Sequence, residues 1–239
     1  MHLVSTCLRL LPLLLIIGCG ARTTGREKIE NPESTENGSE YAGEETMVKE
    51  QKSGSWSPEL SDDEKQTLFS IAMDTLDWCV NGGQGAFSFK KYTLTPRLKV
   101  PTATFVTLQI RETLRGCIGS LEPQDEMYQS VHRNAILAAL RDTRFRPVTP
   151  KELPEINVHV SILSPIRAIE SHNDFTIGEQ GIILSKKGRR SVFLPEVAPE
   201  QGWNKEETLT HLSMKAGLDA DAWKEGAAFQ VFESVVLMQ

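Results

Sequence analysis

The chain has 239 residues, of which 39% are hydrophobic and 24% are charged, and its formal net charge at pH 7 is −6. This suits one ordinary globular domain with extensions, since a core of useful size needs only about 100–150 residues. The acidic balance argues against nucleic acid as a partner, because nucleic-acid-binding domains usually have a basic face.

No metal site and no cofactor are predicted. The four cysteines, which are Cys7, Cys19, Cys79 and Cys117, form no CxxC pair, and the five histidines are scattered. A structural zinc site needs thiols and imidazoles paired at short spacing. The sequence also contains no phosphate-cradling glycine loop.

Residues 1–19 are predicted to be a targeting segment. The apolar run from Leu10 to Ile17 is too short to span a bilayer as a stable helix, and it ends in Gly18-Cys19. This junction resembles the lipobox of bacterial lipoproteins, in which a peptidase cuts after the small residue and the cysteine sulfur carries diacylglycerol. The alternative is an ordinary signal peptide.

A lipid on Cys19 would anchor the protein to a membrane of the bacterial cell envelope. Gly20 follows the cysteine where an aspartate would favour inner-membrane retention, so we expect the outer membrane in a cell that has two. Residues 20–58 are polar and contain almost nothing to bury. Such a segment cannot offset its ordering entropy and is predicted to be a disordered tether.

The folded domain is expected over residues 59–239, and its first element is a helix that begins at Ser61. Ser61 and Glu64 form a capping box, in which each side chain bonds to a free backbone N–H. Apolar residues then recur at helical spacing until Asn81-Gly82-Gly83 ends the helix.

Strands and a second helix follow in the middle of the chain. Apolar and polar residues alternate over 104–110 and over 156–163, which predicts two half-buried strands. Another strand is predicted over 114–120, and a helix from Asp125 to about Arg141.

The last third of the chain is predicted to contain a hairpin, a helix and a final strand. Residues 181–185 and 191–194 flank a charged turn with Gly188 at a positive φ. Asn204 and Glu207 form a second capping box, and that helix ends at Gly217. The final strand is predicted over 228–237. The fold class is therefore α+β, with a mixed or antiparallel sheet and flanking helices.

Five sequence blocks resemble the AMMECR domain family. They are Phe105–Leu108, Leu114–Gly119, Asp142–Pro147, Val158–Ser164 and Leu194–Trp203. The match is collinear over nearly all of residues 60–235. The resemblance implies an α+β fold in two subdomains. In prokaryotes the family is one part of a three-part system, which implies a Memo-like protein and a radical SAM enzyme as partners. Familiar members are intracellular, whereas this chain is predicted to carry an export signal.

Cys117 is the leading candidate for a catalytic residue. It stands between Gly116 and Gly119, where small residues allow a ligand to approach. Arg115 is expected on the same strand face, where its charge would lower the pKa of the thiol and activate it. Two alternatives are a packing role, since cysteine is among the most buried residue types, and a disulfide with Cys79.

Four further residues are candidates for proton transfer or for substrate binding. Glu196 could be a general acid or base, or part of a rigid packed loop. Arg144 and Arg146 could bind a carboxylate or phosphate, although the end of a helix also attracts cations for structural reasons. His159 lies on the polar face of its strand and suits proton transfer or substrate binding, or is simply solvated.

The sequence leaves three functions open. The first is a Cys117-dependent enzyme that acts on an unknown substrate, and the sequence favours it slightly. The second is a non-catalytic module that presents a cleft to a small molecule or a protein. The third is a redox role for Cys79 and Cys117, which requires that they approach within disulfide distance.

Overall fold

Two antiparallel sheets with packed helices make up the part of the chain that the computed structural model describes, residues 47–239. These residues form nine strands and four α-helices, which confirms the α+β fold class. The predicted targeting segment, the lipidation site at Cys19 and the tether up to residue 46 lie outside the described residues.

The helices are α1 (Asp62–Val80), α2 (Met127–Leu140), α3 (Val197–Gln201) and α4 (Lys205–Lys215). The first sheet has the order β1-β9-β4-β2-β3, with β1 (Lys49–Lys52), β2 (Thr104–Ile110), β3 (Thr113–Gly119), β4 (Ile156–Leu163) and β9 (Ser234–Met238). The second has the order β5-β8-β6-β7, with β5 (Arg167–Ile169), β6 (Gly181–Lys186), β7 (Arg189–Phe193) and β8 (Ala228–Phe232).

Three local predictions are confirmed by the backbone geometry. Ser61 caps α1 in a complete capping box with Glu64, and Asn204 does the same for α4. In the β6–β7 hairpin, Lys187 and Gly188 both have positive φ, of 50° and 73°. A two-residue turn of this kind matches the twist of the flanking strands.

Strand β1 corrects the predicted boundary of the tether. Its four residues pair antiparallel with β9, and Lys49 stands opposite Met238. Pairing of this kind uses backbone N–H and C=O groups and needs no apolar side chains. The polar composition of the segment therefore does not prevent it from forming an edge strand. Glu50 adds an ion pair with Lys65 of α1, at 2.9 Å.

The final strand predicted over 228–237 is two strands in different sheets, β8 and β9. The chain changes sheets at Glu233, whose C=O accepts a 2.9 Å bond from Ser164 N–H and whose N–H donates a 2.8 Å bond to Ser164 Oγ. The apolar alternation runs through the break without a change of phase, so the sequence pattern alone cannot show it.

The hydrophobic interior has three parts. Helices α1 and α2 cover one face of the first sheet, where Val131 and Ala135 pack with Val106 and Val160. The other face of that sheet shares a buried cluster with the second sheet, which includes Phe105, Cys117, Ile183 and Phe232. Helix α4 covers the far face of the second sheet.

Gly116 determines how closely α2 approaches β3. A Cβ atom at this position would lie 2.3 Å from the carbonyl oxygen of Ala138. Backbone atoms of a helix cannot move aside as a flexible side chain can. The close approach of α2 therefore requires a residue without a side chain.

We predict that Gly116→Ala lowers the free energy of unfolding by about 1–3 kcal/mol, the usual cost of an overpacked core. Thr113→Ala is the matched control, because Thr113 is an exposed residue of the same strand. Urea denaturation followed by circular dichroism measures both. Equal midpoints for the two variants would contradict the close-packing explanation.

Candidate functional site

Cys117 lies on β3, which is an edge strand of the first sheet. It stands opposite Thr107 of β2. The N–H and C=O of Cys117 bond outward, away from β2, so this is a non-hydrogen-bonded pair, in which facing side chains come closest. Thr107 Oγ1 accordingly donates a hydrogen bond to Cys117 Sγ at 3.2 Å.

Asp142 and Arg144 take the place of a further strand beside Cys117. Asp142 Oδ2 accepts a 2.9 Å bond from Cys117 N–H, and Arg144 Nη2 donates a 3.1 Å bond to Cys117 C=O. The two side chains are themselves joined at 2.6 Å, with Asp142 1% exposed and Arg144 16% exposed. The Asp142–Arg144 pair therefore satisfies both main-chain groups of the edge residue.

The pKa of Asp142 reflects this arrangement. Burial alone would raise the pKa of the carboxyl group, because it disfavours the charged form. The hydrogen bonds from Arg144 and from the Cys117 amide outweigh burial, so the pKa of Asp142 lies below its ordinary value. Asp142 is therefore ionised at neutral pH and paired with the guanidinium.

The two cysteines of the described residues, Cys79 and Cys117, are both free and buried. They belong to different hydrophobic clusters, one on the helix side of the first sheet and one between the sheets. The disulfide suggested as an alternative is therefore contradicted. Burial raises the pKa of Cys79 to about 11, so this thiol is neutral at physiological pH.

Arg115 binds the loop after α2. Its Nε donates to Glu152 Oε1 at 2.7 Å, and its Nη2 donates to Pro147 C=O at 3.3 Å. The hydrogen bond from Arg115 holds the pKa of Glu152 down to about 2. A bulge in the pairing of β2 with β3 lies beside Arg115. The regular two-residue period, on which the predicted shared face of Arg115 and Cys117 depended, is therefore interrupted there. Arg144, for which the sequence suggested substrate binding, is the arginine that contacts Cys117.

His159 lies in the same polar row as Cys117 and Thr107. Thr107 is the register partner of both, on β3 to one side and on β4 to the other, so the three side chains share a face. Neighbouring strands are about 4.8 Å apart, and the row therefore separates the Cys117 and His159 backbones by about 10 Å. Burial lowers the pKa of His159, which keeps the imidazole neutral at pH 7.

The remaining predicted residues, Glu196 and Arg146, differ in their burial. Glu196 is half-buried and directly precedes α3. Its neighbour Val197 packs against the buried cluster that contains Cys117. Arg146 is exposed. Three of the predicted residues therefore lie close together: Cys117 on β3, Arg144 in the loop after α2 and His159 on β4. Arg146 lies on the surface.

A cavity of about 520 Å³ is lined in part by Ala103, Leu121 and Leu163, which belong to the same buried cluster as Cys117. Its walls come from four connections: the segments before α1 and before β2, the β3–α2 connection and the β4–β5 connection. Trp56, Val100, Leu121 and Leu163 are among its apolar lining residues. Its volume falls within the range of about 300–1,000 Å³ that is typical of small-molecule sites. Sequence reasoning missed it, because loops distant in sequence form it together.

The described residues contain neither a metal-binding cluster nor a membrane-spanning helix. Among residues 47–239, no group of three or more His, Cys, Asp or Glu side chains could hold a metal ion. In the same residues, no helix is both long enough and apolar enough to cross a membrane.

Comparison with known proteins gives one consistent family. The family model described as AMMECR1 matches residues 69–237. A protein from Methanothermobacter thermautotrophicus is 37% identical over 170 residues, covering 69% of this chain and 88% of its own length. A protein from Methanosarcina acetivorans is 34% identical over 186 residues, covering 75% and 94%. The crystal structure of the uncharacterized protein PH0010 from Pyrococcus horikoshii covers 71% of this chain and 88% of its own, with a TM-score of 0.66 and 30% identity.

We predict that Asp142→Ala lowers the free energy of unfolding by about 3 kcal/mol, because it leaves a largely buried guanidinium and the Cys117 N–H without their acceptor. The control is Asp62→Ala, which breaks an ion pair with Lys65 in which the aspartate is mostly exposed; we expect a loss under about 1 kcal/mol there. Guanidinium chloride denaturation measures both losses. A loss for Asp142→Ala no larger than the control's would show that the pair does not hold the edge strand.

Proposed function

We propose that this chain, which belongs to the AMMECR1 family, is an envelope-tethered binding module for a small, largely apolar ligand. The observation that carries the proposal is the contrast between the two candidate sites. The cavity has the volume of a small-molecule site and reaches the surface at Val100, which is 43% exposed. Cys117, by contrast, is only 1% exposed.

The surroundings of Cys117 support a structural role for this residue. Its N–H, C=O and Sγ each have a protein partner, in Asp142, Arg144 and Thr107. A nucleophile must reach the substrate, whereas a buried and fully hydrogen-bonded cysteine acts as a small hydrophobic residue. In this proposal Cys117 fills the space between the two sheets.

A second candidate function is a Cys117-dependent enzyme, and the Thr107–Sγ hydrogen bond favours it. A hydroxyl that donates to sulfur stabilises a thiolate, and neutral His159 lies in the same row. In such a reaction Sγ would attack an electrophilic carbon, the thiol proton would pass to His159 or solvent, and Glu196 would protonate the leaving group. Arg144 would bind substrate. This function requires an opening movement that exposes Sγ.

The anchoring part of the proposal comes from the Gly18-Cys19 junction and the polar residues 20–46. A lipid on Cys19 would make the membrane a partner and place the protein in the bacterial envelope, at the outer membrane where there are two. The family resemblance adds a Memo-like protein and a radical SAM enzyme as proposed partners. An exported copy could meet them only if they share its compartment.

We predict that native Cys117 reacts slowly with iodoacetamide across pH 6–9, as slowly as buried Cys79, and that both react promptly in urea. Mass spectrometry of the digested protein reads each site separately, and the unfolded sample is the control for reagent activity. Rapid native labelling of Cys117, with a midpoint well below the free-thiol value of about 8.5, would support the enzyme and contradict the binding module.

We predict that the mature chain begins at an acylated Cys19. In a bacterial host fed an alkyne fatty acid, the wild-type protein and the matched control Cys7→Ser carry the label, because Cys7 lies in the removed segment. Cys19→Ser loses the label. An unacylated mature chain, or cleavage at another residue, would show that the junction is an ordinary signal-peptide site.

A further inference from the structure

We infer that the ligand of the cavity is an amphipathic carboxylate, whose apolar chain fills the interior and whose carboxylate binds Arg97 at the rim. This inference rests on the proposed binding function and adds the chemical class of the ligand. It depends on which polar groups line the cavity and on which of them already have hydrogen-bond partners within the protein.

The walls offer few free hydrogen-bond donors. Four of the lining residues are prolines, which have no N–H. Other lining residues use their N–H groups within the fold: Met127 donates to Val100 C=O at 3.1 Å, Leu163 to Ala103 C=O at 3.0 Å and Ser164 to Glu233 C=O at 2.9 Å. A ligand with hydrogen-bond acceptors along its length would lose its bonds to water without replacement, and most of the lining side chains are apolar. The body of the ligand is therefore apolar.

Arg97 is the one cationic side chain of the lining. Its Nε donates to Pro58 C=O at 2.7 Å, and its Nη2 donates to the same oxygen. These bonds fix the guanidinium, and among residues 47–239 no hydrogen bond or ion pair uses Nη1. Carboxylates are the groups that a guanidinium edge binds best.

Glu64, close to Arg97, and Glu122, in the cavity lining, are carboxylates that already have partners. Burial raises the pKa of Glu64, but the hydrogen bonds from Thr95 and Ser61, with a smaller effect of the Arg97 charge, bring it below its ordinary value. Its oxygens accept from Ser61 N–H at 2.9 Å and from Thr95 Oγ1 at 2.5 Å. Glu122, which lines the cavity, accepts from Gln124 Nε2 at 3.0 Å. Neither forms an ion pair with Arg97 within the described chain.

The size of the cavity suits a single medium-length chain. Its volume of about 520 Å³ falls within the range of about 300–1,000 Å³ that is typical of small-molecule sites. Dodecanoate, a twelve-carbon carboxylate, is a probe of this class. Val100 is one of three exposed large hydrophobic residues in the described chain, and it gives the rim an apolar surface that the ligand chain would cover.

Isothermal titration of the full chain carrying Cys19→Ser, which removes its own acyl group, tests the inference with dodecanoate below its micelle concentration and with dodecanol. We expect one dodecanoate per chain. Arg97→Gln should weaken dodecanoate binding by about tenfold, the effect of losing one charge-assisted bond, and leave dodecanol binding unchanged. Lys99→Gln is the matched control, since it removes an exposed charge on the same turn outside the lining.

Three outcomes would overturn part or all of this account. Equal binding of both probes to wild-type protein and Arg97→Gln would refute the carboxylate inference and leave the binding proposal standing. No saturable binding of either probe would refute the binding proposal itself. Dodecanoate binding that survives Val100→Asp, an exposed-site substitution which places a negative charge on the rim, would locate the site elsewhere. Thermal unfolding of each variant checks that it folds.

Discussion

The N–H and C=O of Cys117 face away from the rest of their sheet, and the Asp142–Arg144 pair binds both. A buried main-chain group left without a partner costs about 1–3 kcal/mol, so an edge strand that lies this deep needs such a partner. Gly116 makes the arrangement possible, because it lets α2 approach β3 and brings the residues that follow α2 next to Cys117.

The sequence blocks that resemble the family correspond to the elements of this arrangement. Block 114–119 forms the edge strand, and block 142–147 supplies the pair that binds it. Block 158–164 forms most of β4, which pairs with β2, and Leu194 packs into the cluster that contains Cys117. The blocks that identify the family therefore contact one another as one packed core. The cysteine between glycines packs into the cluster between the sheets, and its main chain is hydrogen-bonded by the Asp142–Arg144 pair.

The sequence was sufficient wherever local chemistry decides the structure. Capping boxes at Ser61 and Asn204 fixed two helix starts, and alternation of apolar residues gave β2 and β4 with the observed bounds. It was insufficient where distant groups meet. The change of sheet at Glu233 depends on bonds to Ser164, which lies 69 residues earlier.

The candidate sites show the same limit of sequence reasoning. Arg115 is a close sequence neighbour of Cys117, whereas Arg144 lies 27 residues away from it. Only the path of the loop after α2 decides that Arg144 contacts the backbone of Cys117. The cavity depends on four connections that share no sequence motif. Residue spacing therefore could not predict the cavity, whereas it was sufficient for the family and the fold class.

An NMR titration of the isotope-labelled chain with dodecanoate tests the central claim most directly, because one spectrum reports on both candidate sites. The account predicts saturable shifts of the backbone amides of Val100, Thr102 and Ser164 around the cavity, with the amides of Cys117 and His159 unmoved. Shifts centred on Cys117 and His159, with the cavity amides unchanged, would contradict it. They would show that the polar row of Cys117, Thr107 and His159 is the ligand site.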